Sequence, residues 1–158
     1  MGKRFNLYLG KAGQLSTMAS FLIRGWNVAT PEVDIGDDLF VIEDKKGIFF
    51  RVQVKTAQAV EHLNSFSARF SLPLVQLLSF IDPEIYYVFV VFKDTESICK
   101  VVIRRDQLAN IFEDKLIGSF ADNNLLLYFS FENNKVTCSG VNLTQYLNNF
   151  NDFPIIEH

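Results

Sequence analysis

The stretch from Leu39 to Thr56 leaves the fewest folding options of any in the chain. Leu39–Glu43 and Ile48–Thr56 are apolar, β-branched runs separated by the polar turn Asp44-Lys45-Lys46-Gly47. Two such runs around a glycine-containing turn specify a β-hairpin. If the loop closes symmetrically, by two or four residues, Glu43 faces Ile48, Phe40 faces Arg51 and Asp38 faces Gln53. Residues two apart on a strand share a face, so Lys55 joins Gln53 and Asp38. The opposite face carries Leu39, Val41, Ile48, Phe50, Val52 and Val54, an apolar surface to bury. A three-residue loop with Gly47 in a bulge slips the register by one, opposing Asp37 to Lys55 and turning Asp38 inward against Val54. An unpartnered carboxylate is costly to bury, so the symmetric register is the expected one.

The rest of the chain supplies layers around this hairpin. Residues 10–24 predict a helix whose stripe is Leu15, Met18, Ala19, Leu22 and Ile23, ended by Gly25. Trp26-Asn27-Val28-Ala29-Thr30 alternates as a short strand closed by Pro31. Gln58–Asn64 has no clear period, and Phe66–Leu72 alternates like a half-exposed strand. Pro73 opens a helix through Leu74, Leu77, Leu78 and Phe80. Ile85–Phe92 is continuously apolar and reads as a central strand, followed by a strand over Ile98–Ile103. Asp106 caps a short helix through Leu108 and Phe112. A second hairpin pairs Leu125–Phe131 with Lys135–Ser139 around Asn133-Asn134. Asn142 caps a last helix carrying Leu143, Tyr146, Leu147 and Phe150. This order predicts an α/β fold: one mixed β-sheet flanked by helices, in a single domain over 1–158.

Composition removes several function classes. With 158 residues, 49% of them hydrophobic, the chain can hold a full core, and 16 Phe and 5 Tyr make that core aromatic. No apolar run reaches the length of a membrane span, and no signal-peptide pattern opens the sequence. Two cysteines, Cys99 and Cys138, with no paired metal motif, are the usage expected in a reducing cytoplasm. His62 and His158 are the only histidines, too few for a His-rich zinc site or a Ser-His-Asp triad. The net charge of −3 leaves no global basic footprint, so any nucleic-acid contact must rest on local positive charge.

The hairpin holds the chemistry. Asp38 and Gln53 offer hard oxygen ligands that suit Mg²⁺ or Mn²⁺, and Mg²⁺ is commonly held by only one or two protein ligands together with water and substrate phosphate. Such an ion polarises a phosphoryl oxygen. Lys55 beside it is placed to position the attacking water or to meet charge developing on the phosphate. Thr56 belongs to the other face. More ordinary roles suit the remaining polar residues. Arg104-Arg105 reads as a solvated strand end, Lys45-Lys46 as a soluble turn tip, His62 as structural or exposed, and Cys99 as a buried small hydrophobe.

Asp34-Ile35-Gly36-Asp37-Asp38-Leu39 followed by Arg51-Val52-Gln53-Val54-Lys55-Thr56 resembles the signature of the PD-(D/E)XK nuclease superfamily. Its Gln-x-Lys form is similar to that of Mrr-type restriction endonucleases, small bacterial relatives with D-x-G-x-D and Q-V-K-T strings, and some homing nucleases. The resemblance covers residues 10–57 by motif and 58–103 by element order. Residues 104–158 are left to complete the fold or to set dimer and target contacts. It implies a restriction-endonuclease-like fold and a metal-dependent DNA endonuclease that hydrolyses phosphodiesters. Asp38 and Gln53 would hold Mg²⁺ or Mn²⁺, with Lys55 and Gln14 completing the site. DNA would be the partner and a homodimer the assembly. Family members often carry Glu on the first helix where this chain has Gln14. With Gln at 14 and 53, Asp38 is the one assured anionic ligand, helped by Asp34 or Asp37. The alternative is a nuclease-fold module that no longer cuts and acts in DNA binding or protein interaction.

Overall fold

A computed structural model describes residues 2–33 and 36–158. In chain order the elements are α1 (Lys3–Leu22), β1 (Asn27–Ala29), β2 (Leu39–Glu43), β3 (Ile48–Gln58), β4 (Val60–Glu61), β5 (Phe66–Pro73) and α2 (Leu74–Leu78). Then come β6 (Ile85–Lys93), β7 (Glu96–Arg104), α3 (Arg105–Lys115), β8 (Ser119–Ala121), β9 (Asn124–Glu132), β10 (Lys135–Cys138) and β11 (Val141–Asn142). A 3₁₀ turn at Thr144–Tyr146 follows.

The strands form two sheets. The first has the order β1-β2-β3-β6-β7, and the second runs β11-β10-β9-β5-β4 with β8 also on β9. Among the described residues only β3 and β6 pair in parallel; the segment between them, β4 to α2, crosses to the second sheet and back. Alternation along β6 divides the interior. Tyr87, Phe89 and Val91 face the core between the sheets, with Phe70, Leu127 and Phe129. Tyr86, Val88 and Val90 face the core under α1, with Phe21, Leu39, Val41 and Val52. Every residue from Ile85 to Phe92 is buried, as expected of a strand covered on both sides.

The hairpin register is the symmetric one. A four-residue loop brings Glu43 opposite Ile48, Phe40 opposite Arg51 and Leu39 opposite Val52. The loop closes on Gly47 at φ +66, whose N–H donates to Glu43 O at 2.8 Å. In the second hairpin Glu132 opposes Lys135, and Asn133 and Asn134 both take positive φ, the conformation a tight two-residue turn requires.

Four expectations are corrected. The first helix begins at Lys3, and its buried face is Gly13, Thr17 and Phe21, with Leu9 and Met18 partly covered. Leu15 is 54% and Ile23 86% exposed. This face advances in steps of four and uses small residues, so α1 lies close on β3 and a hydrophobicity stripe misses it. The helix after Pro73 stops at Leu78, leaving Phe80 90% exposed. Asp106 is not a cap: Arg104 holds that position, and Asp106 sits in the first turn of α3, paired to Arg104. No helix follows Asn142. Leu143 is buried through a 3₁₀ turn, and Phe150 and Phe153 run on to the α1 core, where the Phe21 and Phe153 rings meet edge-on at 4.7 Å. A second sheet, rather than helices alone, covers the first on its other face.

Candidate active site

β2 begins only at Leu39, opposite Val52, while β3 continues to Gln58. Residues 53–58 therefore lose their β2 partner, and side chains take over that edge. Asp38 is the first to do so. Its N–H donates to Val52 O at 2.9 Å, and its Oδ2 accepts the Val54 N–H at 2.6 Å. A short carboxylate thus replaces one missing rung of the ladder, which fixes Asp38 to the strand that carries Gln53 and Lys55.

On β3, Arg51, Gln53 and Lys55 share the face of Ala57, which belongs to the core between the sheets. Gln53 is buried, and its Oε1 makes no hydrogen bond with any described residue. An unsatisfied buried amide oxygen is costly, so such an atom calls for a partner. Thr56 points to the opposite face, as expected, and meets Gly13 of α1. Gln14 of α1 donates from Nε2 to Asp38 O at 2.9 Å and accepts from Lys11 Nζ at 2.7 Å. A cleft of about 280 Å³ opens there, lined by Lys11, Gln14, Asp38 and Val54 among others. A second cleft, of about 560 Å³, runs past Lys55 between α1 and β5. The structure thus ties Gln14 directly to Asp38 and puts Gln53 and Lys55 on the adjoining strand.

A supporting shell was not legible in the sequence. Asp37, 3% exposed, is clasped by Arg51 Nε at 3.1 and 2.9 Å to its two carboxylate oxygens. Asp37 thus serves as an ion-pair partner of β3, not as a spare ligand. Gln76 of α2 donates to Gly36 O at 3.3 Å and accepts from the Tyr87 hydroxyl at 3.0 Å, while Tyr87 lies beside Gln53 in register. Burial raises the Tyr87 pKa, keeping that hydroxyl a donor. Arg105 secures α2 in turn, binding Glu84 through Nε at 2.6 Å and Leu77 O through Nη1 at 2.6 Å. It is a buried clamp rather than a solvated strand end. Cys99 is only partly buried, although burial pushes its thiol pKa up to about 11. His62 is exposed, with Nε2 3.0 Å from Ser67 Oγ. Asp34 lies outside the described residues.

Among the described residues, no three His, Cys, Asp or Glu side chains gather as a metal cluster, consistent with Gln at positions 14 and 53. No helix among them is long and apolar enough to cross a membrane. No protein-family model matches the chain, and no curated protein does. Among solved structures it is similar to the bacterial homing endonuclease I-Ssp6803I, with a TM-score of 0.54 at 17% sequence identity, over 89% of this chain and 84% of that one. At this identity the likeness establishes a shared fold: the chain has the mixed α/β architecture of that structure.

Proposed function

We propose that this protein hydrolyses phosphodiester bonds in DNA with a bound divalent ion, Mg²⁺ or Mn²⁺. Asp38 and Gln53 are the residues that would hold the ion, and Lys55 and Gln14 complete the site. The observation that carries this reading is the buried Oε1 of Gln53, which has no hydrogen-bond partner among the described residues. A hard cation is a natural partner for an amide oxygen beside a carboxylate. When bound, the ion supplies Lewis-acid stabilisation of the phosphoryl oxygens. In hydrolysis water adds to phosphorus, the bond from phosphorus to the leaving sugar oxygen breaks, and that oxygen takes up a proton. Lys55 faces the negative charge that grows on the phosphate, and Gln14 orders water at the rim. The fold shared with a homing endonuclease supports the reading. Cutting both strands of a duplex calls for two sites, and a homodimer supplies them.

The second reading is a nuclease-fold module that binds DNA or protein without cutting. The pairing of Gln14 with Gln53 favours it, since Asp38 then carries the site's assured anionic charge alone.

Incubation with supercoiled plasmid and Mn²⁺, with and without chelator, separates the two. Nicking or linearisation that chelator abolishes is expected. Asp38→Asn keeps an acceptor for the Val54 N–H and so tests the charge rather than the fold. Both Asp38→Asn and Lys55→Ala are expected to lose cleavage while melting cooperatively. Wild-type cutting by the Lys55 variant removes the mechanism, and DNA binding without cutting by the parent protein selects the second reading.

A further inference from the structure

We infer that the cleft between α1 and β5 is a binding site for a nucleic-acid phosphate backbone, with Arg69 as its grip. The inference rests on the nuclease reading for the identity of its ligand; it shares Lys55 with that site, but its grip, Arg69, lies outside it.

The cleft of about 560 Å³ is lined by Asn6 of α1, Lys55 and Gln58 of β3, and Arg69 and Ser71 of β5. No carboxylate is among its described lining residues. That is a local reversal of sign in a chain of net charge −3. From α1 the cleft is lined by Phe5, Asn6 and Leu9, and that helix carries Lys3, Arg4 and Lys11 but no acid along its length.

Arg69 stands apart from the arginines other than Arg4 of α1. Arg51, Arg104 and Arg105 pair with Asp37, Asp106 and Glu84, and Arg24 lies over the Phe150 ring at 4.8 Å. Arg69 is exposed in the middle of a strand and has no ion pair or side-chain hydrogen bond with any described residue. A guanidinium held by a sheet and left without an anion suits bidentate contact with a phosphate. Its neighbours leave it accessible. Ser67 and Ser71 flank it on the outer face of β5, and Tyr128 lies across from it on β9.

Asn6 also lines the smaller cleft that holds Gln14 and Asp38. The two clefts thus meet at α1. A strand lying along Arg69 and Lys55 reaches the candidate metal site at its end. Phosphate groups on successive nucleotides would meet Arg69 first and the Asp38 edge next.

Duplex and single-stranded oligonucleotides titrated by fluorescence anisotropy, in chelator and again in Ca²⁺, test this without reference to cleavage. Arg69→Ala is expected to weaken binding by about tenfold and to lower the salt slope by about one. Lys115→Ala, at the end of α3 and not among the residues that line the cleft, is expected to change neither. A melting curve for each variant establishes that it folds. Equal losses from both variants, no change for Arg69→Ala, or no binding by the parent protein in either condition overturns the inference. Displacement of the oligonucleotide by low-millimolar inorganic phosphate also overturns it, since the cleft would then be a site for the free ion. If Arg69→Ala leaves binding intact while the parent protein still cuts plasmid, the cleft assignment fails and the nuclease reading stands. If binding depends on Arg69 but nothing is cut, the reverse holds.

Discussion

Gly13 offers the sharpest test of how α1 meets the sheet. In the interior of a helix, Gly→Ala ordinarily stabilises by about 1 kcal/mol, because Ala loses less backbone entropy on folding. At Gly13 the sign reverses. A Cβ there falls 1.9 Å from Thr56 Oγ1, 2.8 Å from its Cγ2 and 2.9 Å from its Cβ. Turning Thr56 about χ1 exchanges its branches but leaves the Cβ clash, since β3 fixes that atom. The helix must therefore move off the strand, and overpacking of this kind costs about 1–3 kcal/mol. Set against the propensity gain, Gly13→Ala is expected to be destabilising by about 1 kcal/mol, which lowers Tm by about 2–4 °C for a chain of this size. Gly10 is the internal control. It lies on the same helix with nothing within 4 Å of its added Cβ, so Gly10→Ala should raise Tm by a similar amount. Differential scanning calorimetry of both variants reads the two signs directly. Adding Thr56→Ala to Gly13→Ala removes two of the three clashing atoms and should recover part of the loss, while the contact with the Cβ of residue 56 remains. If Gly13→Ala stabilises as Gly10→Ala does, the close approach of α1 to β3 is wrong, and with it the placing of Gln14 against Asp38.

Other perturbations reach the shell around the site. Arg51→Ala leaves the carboxylate of Asp37 buried without its cation; discounting for the partial exposure of Arg51, the loss should be about 2–3 kcal/mol in urea denaturation, and a second change, Asp37→Asn, should restore part of it. Gln53→Glu adds a second carboxylate to the proposed ion site; without metal it should melt below the parent protein at neutral pH, and with Mn²⁺ it should show a larger thermal shift, an equal shift counting against Gln53 as a ligand. Burial holds the Cys99 thiol protonated until pH approaches about 11. Its alkylation at pH 8 should therefore run about a hundredfold slower in the folded protein than in urea, as mass spectrometry can follow.

Local pattern carried those parts of the fold whose cause is local. The first hairpin was legible because alternation and the Asp44–Gly47 turn fix both strands and register at once, and a slip would have buried Asp38. Asn133-Asn134 announced the second hairpin for a similar reason, since Asn tolerates the positive φ of a tight turn. Where the deciding contact is distant, the pattern misled. Leu15, Leu22 and Ile23 obey helical spacing, but the strand beneath α1 selects Gly13 and Thr17, which no hydrophobicity scale favours. Leu143, Tyr146, Leu147 and Phe150 fit a helix equally well, yet Leu143 is buried through a 3₁₀ turn and Phe150 through the closing tail. Asp38, Gln53 and Lys55 could be read from the hairpin, and Gln14 from the resemblance. Gln76, Arg105 and Arg69 could not, because each is defined by its position against a strand far away in the chain.

The late start of β2 ties these observations together. Had it paired with β3 to Gln58, the edge beyond Val52 would be closed by backbone, with no gap for a side chain or a ligand. Its start at Leu39 leaves Val54 N–H to a carboxylate rather than a carbonyl. One group thereby completes the sheet and sets negative charge beside it. The two tasks constrain each other: a longer Glu at 38 has the charge but carries it past the Val54 N–H, and an apolar residue there orphans that N–H. The geometry of the edge is therefore fixed by strand pairing, while its charge is set separately by what stands at 14 and 53. Glutamine at both positions preserves size and oxygen donors and removes two negative charges. On the proposed reading, an ion held there would gain its remaining charge balance from an anionic substrate, which would link the proposed ion site to the cleft that holds Arg69.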